Sequence, residues 1–140
     1  MKALSVRQPW ASAIIHCGKD IENRTRRIHY RGPLLIHASK HKPTKKELVG
    51  FADFIFCVFG DREPGFCGKL IASVMRESGP RGGIIGQVEV LYGCVTKSES
   101  PWFCGPYSPW FCGPYGLVLA NPKPLPFREY KGRLGLFEVE

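Results

Sequence analysis

A lysine, two carboxylates and an arginine lie close together in the segment GKDIENR, which runs from Gly18 to Arg24. Gly18 suits the end of a helix, so the pattern predicts a short helix that passes directly into a strand. On a strand, Asp20, Glu22 and Arg24 point to one face, because side chains alternate with a period of two. Together with Lys19 at the junction, they would form a compact polar cluster that can stabilise a negative charge or transfer protons.

Three interpretations of this cluster are open. The carboxylates of Asp20 and Glu22 favour the charged form of Lys19, which suits binding or stabilising a phosphate or an oxyanion better than it suits nucleophilic attack. In a hydrolase, Lys19 and Glu22 would be the catalytic pair, for example as acid and base in an attack by a 2′-hydroxyl. In the third interpretation, the ion pairs only hold the junction of helix and strand. Binding is favoured, and whether the protein is an enzyme stays open.

The composition is that of one globular domain. The chain has 140 residues, of which 23% are charged and 44% hydrophobic, so a single domain over 1–140 is predicted. No apolar run approaches the ~20 residues of a membrane span, and the first residues lack the apolar core and cleavage site of a signal peptide. We therefore expect a cytoplasmic protein with reduced cysteines and no membrane partner.

The net charge of +8 is distributed unevenly, because there is no acidic residue from Thr25 to Lys46. A segment of one sign favours a polyanionic partner, nucleic acid before membrane. The alternative is a solvated basic surface. The basic side chains of this segment are Arg26, Arg27, His29, Arg31, His37, Lys40, His41, Lys42, Lys45 and Lys46.

Short strands dominate the predicted secondary structure, and they indicate a compact, mostly antiparallel barrel. Thr44 and Glu47 form a capping box at the start of a long helix, whose second half, 54–59, is apolar almost all round and is expected to be well covered. Periodicity and turn signals predict helices at 11–17, 45–59 and 66–77, and strands at 2–7, 19–24, 33–38, 85–92, 116–120, 125–128 and 134–139.

A tandem duplication occupies 100–115, where SPWFCGPY at 100–107 is repeated unchanged at 108–115. Only the second copy leads directly into the strand at 116–120, so we expect it to hold the framework position with Trp110 near the ligand. The first copy would be an added loop, which costs little in closure entropy. A monomer is expected, with a dimer through the exposed aromatic residues of the added loop as the alternative.

Familiar metal, cofactor and hydrolase motifs do not occur in the sequence. The six cysteines form no CxxC pair, and there is no Walker loop, GxGxxG, HExxH or GxSxG. We therefore predict neither a metal site nor a cofactor.

Candidate binding residues come from the neighbourhood of the polar cluster. Arg24 and Lys40 would contact phosphate or carbonyl oxygens, and Trp10 or Trp110 would stack on a base. Gln8 or Glu22 would hydrogen-bond an exposed base edge. The full predicted binding set is Arg7, Gln8, Trp10, Arg24, His37, Ser39, Lys40 and Trp110.

Structural alternatives exist for two of these residues. Trp10 can be an ordinary core residue, and His37 can be a hydrogen-bonded histidine within an apolar strand. Lys19 itself is expected in the cleft. Its substitution by methionine would then abolish ligand binding or turnover, and the thermal midpoint would stay within a few degrees.

Several motifs in order resemble the ASCH family, named for homology to an activating signal cointegrator. The family signature GxKxxExR is represented here by Gly18, Lys19, Glu22 and Arg24. The resemblance covers nearly the whole chain apart from 60–78 and one copy of the repeat. It extends over LSVRQPWA at 4–11, RGPLLIHA at 31–38, GGIIG at 82–86, GPYG at 113–116 and KGRLGLF at 131–137.

The resemblance implies an α+β fold, a small, mostly antiparallel PUA-like β-barrel with two or three flanking helices and a cleft. Members of the family are linked to RNA or DNA binding, to ribonuclease activity and to hydrolysis of N4-acylated cytidine. In the amidohydrolase branch, the lysine works with a threonine three residues later. Lys19 matches that lysine, Glu22 occupies the threonine position, and Arg26 stands where many relatives have an aromatic residue. The partner implied is RNA, another nucleic acid or a nucleoside.

Overall fold

The protein is described by a computed structural model, which covers residues 1–59, 80–95, 110, 111 and 113–140. The helix predicted at 66–77 and the first copy of the repeat lie outside these residues. The elements follow the order β1 (Lys2–Val6), α1 (Trp10–His16), β2 (Ile21–Arg24), β3 (Gly32–Ala38), α2 (Lys45–Phe59), β4 (Gly83–Val95), β5 (Tyr115–Glu129) and β6 (Leu136–Glu138).

The strands form one six-stranded sheet in the order β2-β5-β4-β3-β1-β6. All neighbouring strands are antiparallel except β1 and β3, which run parallel. The prediction of a mostly antiparallel α+β fold is confirmed, but in place of the predicted barrel the described strands form an open sheet. Among the described strands, β2 and β6 stand at opposite edges of the sheet, so the sheet is an open half-barrel. Both edge strands are short, with four and three residues, and neither continues the ladder around the barrel.

The main core is formed by apolar side chains at every second position of β1 and β3. Leu4 and Val6 of β1, and Leu34 and Ile36 of β3, face the same apolar cluster, which Ile14 and Ile15 of α1 also join. Full burial of each such side chain contributes ~1.5–3 kcal/mol relative to exposure. Helix α1 therefore fills the concave side of the sheet. A second cluster lies under α2 and contains Phe51, Ile55, Trp110 and Phe111.

The end of α1 determines how β2 begins. Gly18 has φ +72°, a left-handed conformation that glycine adopts without strain. The backbone N–H of Lys19 then donates to the carbonyl of Ala13 over 3.1 Å, and the chain turns directly into β2. The carbonyl of Asp20 accepts from Leu119 of β5 over 2.8 Å, which docks this junction on the sheet. Lys19 thus lies at the junction of α1 and β2, two residues before the strand begins, as the sequence predicts.

Helix α2 begins at the predicted capping box. The hydroxyl of Thr44 accepts from the backbone N–H of Glu47 over 3.1 Å, and the carboxylate of Glu47 accepts from the backbone N–H of Thr44 over 3.2 Å. Phe51 and Ile55 are fully buried on the inner face. Phe56 is 68% exposed, so the expectation that the whole second half is covered is wrong at this residue.

Gly50 offers a stability prediction, because it is exposed within α2 and a Cβ there would meet nothing within 4 Å. Replacement of Gly50 by alanine should raise the free energy of unfolding by ~0.5–1 kcal/mol, since glycine loses more backbone entropy in a helix. Denaturant unfolding measures the change. The contrasting variant is Gly86→Ala, which should lower the free energy of unfolding, because its Cβ would clash with Cδ1 of Ile15. A Gly50→Ala protein no more stable than the parent would contradict this account of α2.

Strand β5 is one strand of 15 residues, whereas the sequence predicts separate strands at 116–120 and 125–128. The register of its pairing with β4 shifts several times, and Asn121 has φ 51°. The strand therefore bends near this residue and continues beyond it. Residues 121–129 are exposed and, among the described strands, pair with β4 alone. Such an edge tolerates prolines, and three stand at alternate positions, Pro122, Pro124 and Pro126.

Candidate functional site

A cleft of about 940 Å³ opens where β1 and β3 end side by side. Its floor contains Ser5 and His37, which are register partners in the parallel pair of strands. Residues 22–24 of β2 form one wall, and residues 129–135, which connect β5 to β6, form the other. The cleft therefore lies at the gap between the two edges of the half-barrel.

The lining of the cleft is cationic. The described residues contribute two carboxylates to it, those of Glu22 and Glu129, and Glu22 is itself buried and paired. A concave surface of this kind concentrates positive potential and attracts anions. Within the part of the chain that the structure describes, the cationic side chains of the lining are Arg7, Arg24, Lys40, Lys131 and Arg133.

Lys19 lies behind the cleft wall and is not among the lining residues. Its side chain is 2% exposed, and its Nζ donates to the carbonyl of Ile21 and, over 3.1 Å, to Oε1 of Glu22. The same ammonium lies 5.7 Å from the ring centroid of Trp10, a cation–π contact. The other carboxylate oxygen of Glu22 accepts from Nη2 of Arg24 over 2.9 Å. Lys19 therefore orients Glu22 and Arg24 and is not presented to a ligand.

Arg24 joins the two sides of the open barrel. Its Nη2 donates to the carbonyl of Ser5 on β1 over 2.9 Å, as well as to Glu22 on its own strand. The side chain is 28% exposed and lines the cleft, while its buried Nε has no hydrogen-bond partner among the described residues. A side chain thus makes the connection across the gap that a backbone ladder would make in a closed barrel.

His37 fixes the opposite wall. Its ring is 2% exposed, and Nε2 must donate to the carbonyl of Tyr130, 2.7 Å away, because a carbonyl can only accept. In the neutral tautomer, Nδ1 then accepts from the hydroxyl of Ser5 over 3.0 Å. Gly132 packs on the same ring, where a Cβ would lie 2.6 Å from Cε1. His37 therefore holds the 130–135 segment, which we call the rim loop, against the cleft floor.

Two predicted binding residues are placed in the interior. Gln8 is fully buried, and its side chain donates to the carbonyl of Pro80 and accepts from the backbone N–H of Ser12, both over 3.0 Å. Trp110 is 4% exposed and packs against Phe54, with ring centroids 5.7 Å apart. Neither residue lines the cleft, so both support the framework around it. The predicted binding residues that line the cleft are Arg7, Trp10, Arg24, His37, Ser39 and Lys40.

Beside the cleft, Glu47 pairs with His41 at the start of α2. The hydrogen bond with His41 over 2.7 Å, followed by the one from the backbone N–H of Thr44, lowers the pKa of the Glu47 carboxyl below its ordinary value. This carboxylate also lies 4.0 Å from Nη1 of Arg7. Glu47 therefore stays negative at neutral pH and offers Arg7 a counter-charge outside the cleft.

The rim loop is the part of the site that sequence reasoning missed. It adds Lys131 and Arg133 to the cleft, together with Leu134, whose side chain is fully exposed. A signal for it exists in the sequence, because Lys131-Gly132-Arg133 alternates cations with glycine near the end of the chain. Nothing local indicates that this segment folds back onto His37.

The described part of the chain contains no group of three or more histidine, cysteine or acidic side chains arranged to hold a metal ion. Cys57 is a free thiol. Neither described helix is long and apolar enough to cross a membrane.

Comparison with known proteins places the polar cluster inside a recognised domain. The family model described as the ASCH domain matches residues 4–102, well over half of the chain. Lys19, Glu22 and Arg24 keep the spacing of the family signature, whereas Gly18 directly precedes the lysine instead of standing two residues before it. A search of curated proteins found no match.

Proposed function

Because the chain belongs to the ASCH domain family, we propose that its cleft binds RNA, with phosphates held by the cations of the lining. The ASCH domain is a PUA-like fold associated with RNA binding. The observation that carries the proposal is the charge of the cleft. Of the described residues, five with cationic side chains line it against two carboxylates, and Lys19 and Arg24 neutralise one of these, Glu22. An anionic ligand is therefore favoured over a neutral nucleoside.

Single-stranded RNA suits this cleft better than a regular duplex. A strand without a partner can place an unstacked base in a concave site, where aromatic rings and arginine planes contact it. The half-buried ring of Trp10 and the guanidinium of Arg24 are both part of the lining. Ser39 adds a hydroxyl that can hydrogen-bond a base edge or a ribose.

The geometry favours binding over hydrolysis. A nucleophilic or basic lysine must reach the substrate, but Lys19 is buried and makes hydrogen bonds to Ile21 and Glu22. The carboxylate of Glu22 is likewise shared between Lys19 and Arg24. We therefore assign this network to shaping the wall of the cleft.

RNA binding is tested by measuring the anisotropy of a fluorescent single-stranded oligonucleotide over a salt titration. Each phosphate contact should add about −0.7 to the slope of log affinity against log salt concentration, because binding releases counterions. The double variant Lys131→Ala/Arg133→Ala should lower the affinity and make the slope shallower by up to about 1.4, the share of two contacts.

The matched control is Lys45→Ala/Lys46→Ala, which removes the same charge from exposed positions on α2. It should change the affinity less than the rim-loop variant does. Absence of binding at low salt, or equal losses from the two double variants, would contradict RNA binding in the cleft.

A further inference from the structure

A second cationic surface lies outside the cleft, on the connection from β2 to β3. Strands β5 and β4 stand between these two strands in the sheet, so residues 25–31 cross the end of both. Ile28 and Tyr30 are partly buried and pack on the main core. Arg27, His29 and Arg31 alternate with them and are exposed. The connection thus closes the end of the half-barrel with apolar side chains and presents a row of basic ones outward.

Two tyrosines underlie this row. The guanidinium of Arg27 lies 5.1 Å from the ring centroid of Tyr115 on β5, and that of Arg31 lies 4.9 Å from the ring centroid of Tyr92 on β4. A guanidinium is planar and stacks on aromatic faces, which reduces the rotamer freedom of the arginine. We call Arg27, His29 and Arg31, with the two supporting tyrosines, the arginine strip.

The strip begins where the cleft ends. Arg24 lines the cleft and is the register partner of Tyr115 in the pairing of β2 with β5. Arg27, which lies over that tyrosine, follows Arg24 by three residues. No acidic residue interrupts the sequence between Arg24 and Glu47. A chain of phosphates that leaves the cleft past Arg24 therefore meets cations along the strip.

We propose that the arginine strip is a second RNA-binding surface, which holds the single strand that leaves the cleft. The inference rests on the proposed RNA binding and adds an extended, single-stranded substrate to it. Arginine planes accept stacked bases, and their N–H groups bind phosphate oxygens. Unstacked bases can use such a row, whereas the bases of a duplex are already stacked and paired.

The strip predicts that affinity depends on the length of the RNA. From Arg27 to Arg31, an extended chain covers ~13 Å, so the strip needs several nucleotides beyond those in the cleft. A tetranucleotide would occupy the cleft alone, and a dodecanucleotide would reach both surfaces. Sites that follow a single strand commonly span ~4–16 nucleotides per module.

The experiment measures the affinities of both oligonucleotides for the full chain and for Arg27→Ala/Arg31→Ala. The double variant should bind the dodecanucleotide about tenfold more weakly or worse, and should bind the tetranucleotide as the parent does. We call the higher affinity for the dodecanucleotide than for the tetranucleotide the length advantage. The variant Tyr92→Leu/Tyr115→Leu keeps both arginines but removes the rings on which they stack, so it should lose part of the length advantage. Thermal melting checks that each variant is folded, and Arg27→Gln/Arg31→Gln replaces the alanine variant if that one unfolds.

The outcomes separate this inference from the proposed function. Lys45→Ala/Lys46→Ala again removes two charges from a different surface and should leave the length advantage nearly intact. If the strip variants lose no more than this control, the inference is overturned while RNA binding in the cleft stands. If the parent protein binds neither oligonucleotide, the proposed function fails and the inference fails with it.

Discussion

Replacement of Glu22 by alanine is expected to lower the free energy of unfolding by ~3–5 kcal/mol, because it leaves the buried ammonium of Lys19 without its counter-charge. The side chain of Lys19 is buried and cannot turn to solvent without breaking its contact with Trp10. For a chain of this size, the thermal midpoint should fall by roughly 10–20 °C. The result would contrast with the sequence-based expectation that charges of this cluster can be removed with little effect on stability.

Two further variants test the cause. Glu22→Gln retains an oxygen that accepts from Lys19, so it should cost less than Glu22→Ala. Lys19→Met/Glu22→Leu removes both charges of the pair and should be more stable than Glu22→Ala alone, because no unpaired ion stays in the interior. If Glu22→Ala melts within about 2 °C of the parent, the pair does not stabilise the fold.

Replacement of Gly132 by alanine is expected to weaken RNA binding although it removes no charge. The new Cβ would lie 2.6 Å from Cε1 of His37 and 3.2 Å from Oγ of Ser5. His37 is buried and held by two hydrogen bonds, so the rim loop must move outward and take Lys131 and Arg133 with it. Overpacking of this kind costs ~1–3 kcal/mol of stability.

Leu134→Ala is the matched control for the rim loop. Leu134 is fully exposed, so its truncation should leave the thermal midpoint unchanged within error. Oligonucleotide affinity and thermal melting measured on both variants separate displacement of the loop from loss of a side chain. A Gly132→Ala protein that melts and binds as the parent does would show that the contact with His37 does not position the cations.

The sequence pattern correctly predicted the features of the site that depend on residues close together in the chain. The period of two placed Glu22 and Arg24 on one face, and their side chains do meet there. The glycine that follows α1 placed Lys19 at the junction of α1 and β2. The burial of Lys19 could not be read from the same residues, because it depends on the packing of Trp10 over its ammonium.

Long-range contacts account for what the sequence did not reveal. The rim loop reaches the cleft through a hydrogen bond between His37 and Tyr130, which are 93 positions apart in the chain. The candidate role of Trp110 in base stacking depended on one exposed ring face, and packing against Phe54 buries the side chain. The open sheet could not be predicted, because the residue pattern of the strands does not show how the two edges of the half-barrel are joined. The connection is made by the side chain of Arg24 instead of by backbone hydrogen bonds between strands.

The prolines of β5 have a consequence for how copies of the protein meet one another. An incomplete barrel leaves a strand edge that can recruit a strand from another molecule and seed aggregation. Alternate residues of a strand direct their N–H groups to the same edge, and Pro122, Pro124 and Pro126 lack this donor. Among the described strands, this half of β5 pairs with β4 alone. Three residues that cannot donate a backbone N–H make it a poor template for edge-to-edge assembly.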